Sequence, residues 1–145
     1  MEYDKAKIDA LRGQVIGCAI EVHRQLGPGL LESVYQACLV IELRRAGLQV
    51  AVNKYVPLTY KGDAIGTGLF LDLLVQGVLV LEVKSVERLG PIHVAQVITY
   101  LKLADRPAGL LLNFNSVLMK DGIKRVTHPA LIDPDLPRLH KARLL

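Results

Sequence analysis

Phe70-Leu71-Asp72-Leu73-Leu74-Val75-Gln76-Gly77-Val78-Leu79-Val80-Leu81-Glu82-Val83-Lys84 is the stretch that decides how this chain folds. Two apolar runs of strand length flank a Gln76-Gly77 turn signal, and neither run alternates apolar with polar residues. Strands that are apolar on both faces belong in the middle of a sheet covered by helices on each side, which excludes an all-β sandwich with one wet face. Three charged residues stand out against that background. Asp72 interrupts the first run, and Glu82 and Lys84 end the second. Charges in such places are costly unless they are paired or hold a cation.

Glu82 and Lys84 are two apart on a strand, so their side chains leave the same face of the sheet. For Asp72 to share that face, the two strands must pair at positions whose residue numbers sum to an even value. A plain two-residue Gln76-Gly77 turn would pair Val75 with Val78 and set Asp72 against Leu81, on the wrong face. A three-residue loop or a β-bulge near Gly77 is therefore expected. Two converging carboxylates make a hard oxygen site suited to Mg²⁺, with Mn²⁺ as a substitute, and the sequence offers no thiol or imidazole cluster for zinc. Such an ion polarises a phosphoryl oxygen and makes water a better nucleophile, while Lys84 orients that water or offsets developing charge. The reaction this suits is phosphodiester hydrolysis. On spacing alone, a simple ion pair between Lys84 and Asp72 or Glu82 accounts equally well for the same residues.

Upstream, Ile8, Leu11, Val15, Cys18, Ala19, Val22 and Leu26 recur at helical spacing and predict an amphipathic helix ending at Gly27. His23, on the flank of that stripe, reads as structural. After the Gly27-Pro28-Gly29 break, a second helix is expected from about Leu30 to Ala46, stopped by Gly47. Glu32, Tyr35, Gln36, Leu39 and Leu43 share one face of it, so Glu32 leads the stripe expected to point into the core and not to the solvated side. A Glu near a helix start also simply complements the dipole. A strand then runs to the Lys61-Gly62-Asp63 turn. Downstream, Pro91 should open a third helix that reaches about Ala104, with Gln96 and Tyr100 adjacent on one face and His93 continuing their row. A buried strand from Ala108 to Phe114 follows, and a last strand over Val117–Val126 is interrupted at Asp121-Gly122. The order α-α-β-β-β-α-β-β predicts an α/β fold with a mixed central sheet flanked by helices.

The sequence has 145 residues, 51% of them hydrophobic and 22% charged, which suits one globular domain and excludes the disordered class. Residues 1–126 are expected to form that domain and 127–145 a basic, proline-containing C-terminal tail. The N-terminus has no apolar leader region and no run is long enough to span a bilayer, so a cytoplasmic protein without a membrane partner is expected. Cys18 and Cys38 read as two reduced, buried thiols. Within the net charge of +4, residues from Lys120 onward contribute six basic and three acidic side chains. That balance is compatible with a polyanionic partner such as nucleic acid, although charge alone reports mainly non-specific attraction.

The segment Glu21-Val22-His23-Arg24-Gln25-Leu26-Gly27-Pro28-Gly29-Leu30-Leu31-Glu32-Ser33-Val34-Tyr35 resembles the signature of the GxxExxY family, with Gly29, Glu32 and Tyr35 at the named positions. The resemblance continues through Asp72 to Val75, Leu81 to Lys84, Gln96 to Lys102 and Leu111 to Phe114, and covers about residues 12–126. That family is similar to the PD-(D/E)XK nuclease superfamily, whose restriction-endonuclease-like αβββαβ core carries Asp on the second strand and Glu-x-Lys on the third. The resemblance implies a metal-dependent nuclease acting on DNA, with RNA less favoured. It implies that Asp72, Glu82 and the Val83 carbonyl ligate Mg²⁺, that Lys84 assists the nucleophile, and that Glu32 completes the site from its helix. Gln96 and Tyr100 are similar to the Gln-x-x-x-Tyr motif of RecB-like members. Many relatives carry a basic residue two positions before the strand aspartate, where this chain has Phe70, and the loss of that charge weakens phosphate binding on that face. Two other accounts fit the same sequence: a nucleic-acid-binding module of this fold without turnover, and a protein-interaction or assembly module such as a homodimer, which the lack of Trp and the few aromatics favour.

Overall fold

The computed structural model describes residues 3–132. Asp4 accepts the Lys7 amide at 3.2 Å and so caps helix α1 (Lys5–Leu26), which stops where Gly27 turns to φ 70°. Helix α2 (Glu32–Arg45) ends at the αL residue Gly47, with Arg44 and Arg45 in its last turn. Strands β1 (Val50–Tyr60), β2 (Asp63–Val75) and β3 (Leu79–Lys84) come next. Helix α3 (Pro91–Ala104) opens on its proline and crosses over to β4 (Ala108–Asn113); β5 (Ile123–Thr127) and a helical turn, α4 (Pro129–Ile132), complete the described chain.

The strands lie in one sheet in the order β1-β2-β3-β4-β5, parallel between β3 and β4 and antiparallel elsewhere. This is a mixed α/β architecture, as the order of apolar patterns requires. Leu73, Val75, Leu79, Leu81, Val83, Leu110 and Leu112 pack against α1 and α2 on one face, while Leu74, Val80 and Leu111 pack with Val97 and Leu101 of α3 on the other. Both faces of the central strands are thus buried, which is why β2, β3 and β4 read as continuous apolar runs.

Three expectations need correction. Strand β2 begins at Asp63 and not at Phe70, because Gly68 lies so close to β1 that a Cβ there would strike the Val56 carbonyl; the glycine that hides the strand in the sequence is what lets it pair. The final strand begins at Ile123, since five residues suffice to pair β4, and Val117 and Leu118 are left exposed before a 3₁₀ turn at Met119–Gly122. Cys18 and Cys38 are free thiols but half-buried, on the rim of the α1–α2 contact. The tail expected over 127–145 starts in β5 and α4; the rest of it, with Arg138, Lys141 and Arg143, lies outside the described residues. No described helix is long and apolar enough to cross a membrane.

Candidate active site

Strands β2 and β3 are joined by the three-residue loop Gln76-Gly77-Val78, which pairs Val75 with Leu79, Leu74 with Val80 and Leu73 with Leu81. The register has the even sum that the charged residues demand. The Val78 amide donates to the Val75 carbonyl at 3.1 Å, and Gln76 and Gly77 take the turn with φ of 54° and 69°. Beyond Leu73 and Leu81 the ladder stops and the two strands fork. There the Asp72 amide donates to Glu82 Oε1 at 3.3 Å and the Val83 amide to Asp72 Oδ2 at 2.9 Å, so each carboxylate stands in for a backbone carbonyl. The Lys84 carbonyl accepts the Phe114 amide on the β4 side, and the neighbouring Val83 carbonyl, alternating with it, faces the fork. Two carboxylates and a main-chain oxygen therefore converge where the strands part.

Glu82 and Lys84 alternate with Leu81 and Val83, which belong to the α1–α2 side, so their side chains lie on the α3 side. Glu82 is only 3% exposed, and its carboxyl is pushed up to about 8, first by burial and then by the negative charge of Asp72. The Lys84 charge acts on Glu82 in the opposite sense, yet no ion pair joins Lys84 to either carboxylate among the described residues. The ion-pair account is thus not what the structure shows. Tyr100 stands on α3 over the same carboxylates: burial and then the charges of Glu82 and Asp72 raise its hydroxyl pKa, and Gln96 Nε2 donates to its oxygen at 3.1 Å. His93, in contrast, accepts the Gly90 amide at Nδ1 (2.8 Å) and caps α3. A buried and a half-buried carboxylate that no described side chain pairs with, and hard oxygen donors only, fit a divalent ion such as Mg²⁺ or Mn²⁺.

Glu32 departs from expectation. It is the first residue of α2 and is exposed, because the helix starts at residue 32 and the buried stripe begins with Tyr35 and Leu39. Among the described residues no three His, Cys, Asp or Glu side chains gather into one group. The backbone around Glu32 is nevertheless tied to the fork at both ends. Leu30 accepts Ser85 Oγ at 2.5 Å, next to Lys84, and Gln36 Nε2 donates to the Asp72 carbonyl at 3.4 Å and to Asn53 Oδ1 at 3.3 Å. Tyr35 stacks on Phe114 with ring centroids 4.7 Å apart and donates to the Gly27 carbonyl at 2.6 Å, which anchors the Gly-Pro-Gly break. His23 is structural, its Nε2 2.7 Å from the Ser116 carbonyl.

Two positioning groups, Gln36 and Asn113, stand outside the set expected from the sequence. Ala51 and Leu74 face α3, and so do Val56, Leu58, Leu69 and Leu71; the pleat changes parity at the facing residues Asn53 and Asp72, where Asn53 has a φ of 50°. Gln36 bonds both residues at that reversal. Asn113, 2% exposed, receives the Val86 amide and donates to the Val86 carbonyl, both at 3.0 Å, fixing the segment that follows Lys84. A polar residue inside an apolar stripe or at the end of an apolar strand is the signal for each. A sequence model described as the PD-(D/E)XK nuclease superfamily matches residues 9–126. No curated protein and no solved structure matches the chain.

Proposed function

The chain belongs to the PD-(D/E)XK nuclease superfamily, and from that premise we propose that it is a divalent-metal-dependent nuclease hydrolysing phosphodiester bonds of DNA, with RNA the less favoured substrate. Asp72, Glu82 and the Val83 carbonyl would hold Mg²⁺ or Mn²⁺, with Glu32 closing the site from the start of α2. When bound there, such an ion supplies Lewis acidity toward a phosphoryl oxygen and toward water. Lys84, on the same face as Glu82, orients the attacking water and offsets charge at the scissile phosphate. Gln96 and Tyr100, bonded to each other on α3, form a polar rim over the carboxylates that positions Lys84 or a phosphate. Gln36 and Asn113 act through the residues they hold.

The observation that carries this reading is the interlocked pair of buried Glu82 and half-buried Asp72 at a strand fork, where no described side chain forms an ion pair with either. Labelled DNA and RNA, single- and double-stranded, are the direct test. With Mg²⁺ or Mn²⁺ the wild type is expected to cut at least one of them, and Asp72→Ala and Lys84→Ala each to lose about a hundredfold or more. Absence of cutting on every substrate, or cutting that neither substitution nor EDTA reduces, would overturn the proposal.

A further inference from the structure

Strands β1 and β2 run 11 and 13 residues, longer than the strands they lean on, and form a hairpin that continues past the fork. On that continuation Tyr55 and Phe70 face each other directly across the ladder, 43% and 59% exposed. Their neighbours Val56, Leu69 and Leu71 pack into the cluster on the α3 side, so alternation sends both rings to the opposite face. Helix α2 reaches these strands at Gln36, against Asn53 and Asp72, and the rings lie two residues further out on each strand.

The geometry of the two rings differs from that of a core pair. Tyr35 and Phe114 are parallel within 10° and wholly buried, each ring spending a face on the other. Tyr55 and Phe70 are 5.1 Å apart but tilted by 45°, which leaves ring faces unshared and open to solvent. A planar group laid on them would cover apolar surface that no described residue covers. The surrounding charge favours an anionic chain: from Lys54 to Phe70 the hairpin carries two lysines and one aspartate, and Lys61 lies 5.4 Å over the Tyr60 ring, while Lys54 alternates with Tyr55 onto the α3 face. Phe70 precedes Asp72 by two residues, about 7 Å along the strand. Glu82 and Lys84 leave the other face of the sheet, but β2 runs free of β3 beyond Leu73, so a strand passing through the fork from a phosphate held there meets the Phe70 ring about one nucleotide on.

We propose that Tyr55 and Phe70 form a stacking platform for an unpaired base of the substrate, so that the strand this site takes is single-stranded or locally opened nucleic acid. The inference rests on the nuclease reading for the nature of the polymer. In an intact duplex the base faces are already stacked on their neighbours, and only an unpaired base can lie on a protein ring. The net positive charge of the hairpin attracts the phosphates and the rings take the base, a division of labour that tolerates any sequence.

The test measures binding apart from cleavage. In EDTA and at fixed salt, affinities are measured for a fluorescent oligothymidine strand, the same strand with abasic residues, and a duplex. Phe70→Ala and Tyr55→Ala are each expected to weaken binding of the intact strand about tenfold and to leave the abasic strand and the duplex unchanged. The sequence contains no Trp, so Phe70→Trp introduces a sole indole at the platform. It is expected to keep the affinity and to be quenched by oligothymidine but not by the abasic strand. Wild-type affinity in both alanine variants together with unquenched indole emission would overturn the platform. So would loss of a concentration-dependent oligomer in those variants without loss of strand binding, which would make the rings a contact between protein copies. Cleavage with Mg²⁺ is followed in parallel. Cutting that ignores the rings removes the platform alone, whereas ring-dependent binding without any cutting upholds the platform and removes the nuclease reading.

Discussion

Glu82 is held where water solvates it poorly and where Asp72 adds a second negative charge, so its carboxyl keeps its proton up to about pH 8, against 4.5 for an ordinary glutamate. The folded chain therefore binds more protons than the unfolded chain between those two values. The stability this group contributes is complete below 4.5 and is lost as pH rises through about 8. Without divalent ions, the melting temperature is expected to fall across that window, and Glu82→Gln, which cannot titrate, to flatten the profile. Mg²⁺ should raise the melting temperature more on the alkaline side, since ligation requires the ionised carboxylate. Differential scanning calorimetry decides the matter: superimposable profiles for wild type and Glu82→Gln would refute this account. Asp72, Glu82 and Lys84 are legible in the sequence because each breaks an apolar run, and Gln96 and Tyr100 because of their helical spacing. Gln36 and Asn113 show only a polar residue in an apolar stripe or at a strand end, and their roles are not legible from that, because the partner of each lies in a distant segment.

Among the elements, helix α3 is closely seated on the sheet. It lies on β4 at Gly109, where a Cβ would come within 2.9 Å of the Val80 carbonyl and 3.1 Å of Val97 Cγ1. Gly109→Ala is expected to cost about 1–3 kcal/mol in urea unfolding and, because α3 carries Gln96 and Tyr100, to lower cleavage as well. Gly13, exposed on α1 with nothing within 4 Å of a Cβ, is the control, and alanine there should be neutral or stabilising. Equal effects at the two positions would show that close packing of α3 is not the cause. The elements themselves follow from periodicity wherever they are apolar, as in α1, β3 and β4. Periodicity fails where a strand is built of residues with weak strand preference, as in the Gly66–Gly68 part of β2. It fails again where apolar residues have no strand left to pair, as at Val117 and Leu118.

At the scale of the whole molecule, Arg12 ties the first helix to the last strand. Its guanidinium is 4% exposed and donates through Nη2 to the Val126 carbonyl at 2.5 Å and to Thr127 Oγ1 at 3.3 Å. Arg12→Ala leaves those groups buried with fewer donors and is expected to cost about 1–3 kcal/mol, with unfolding still a single transition because both apolar layers share one sheet. An unchanged denaturation midpoint would show the clamp to be idle. From the sequence alone came the α/β class, the order of the apolar elements, the strand positions of both carboxylates and the even register that brings them together. These rest on the pleat's period of two and the helix's period of 3.6, which local backbone geometry imposes. Only the tertiary structure decided that Glu32 is exposed, that the pleat reverses at Asn53 and Asp72 under Gln36, that Arg12 spans the molecule and that Tyr55 and Phe70 stand uncovered. Each of those depends on where one layer ends against another, between residues far apart in the chain, and no local period encodes that distance.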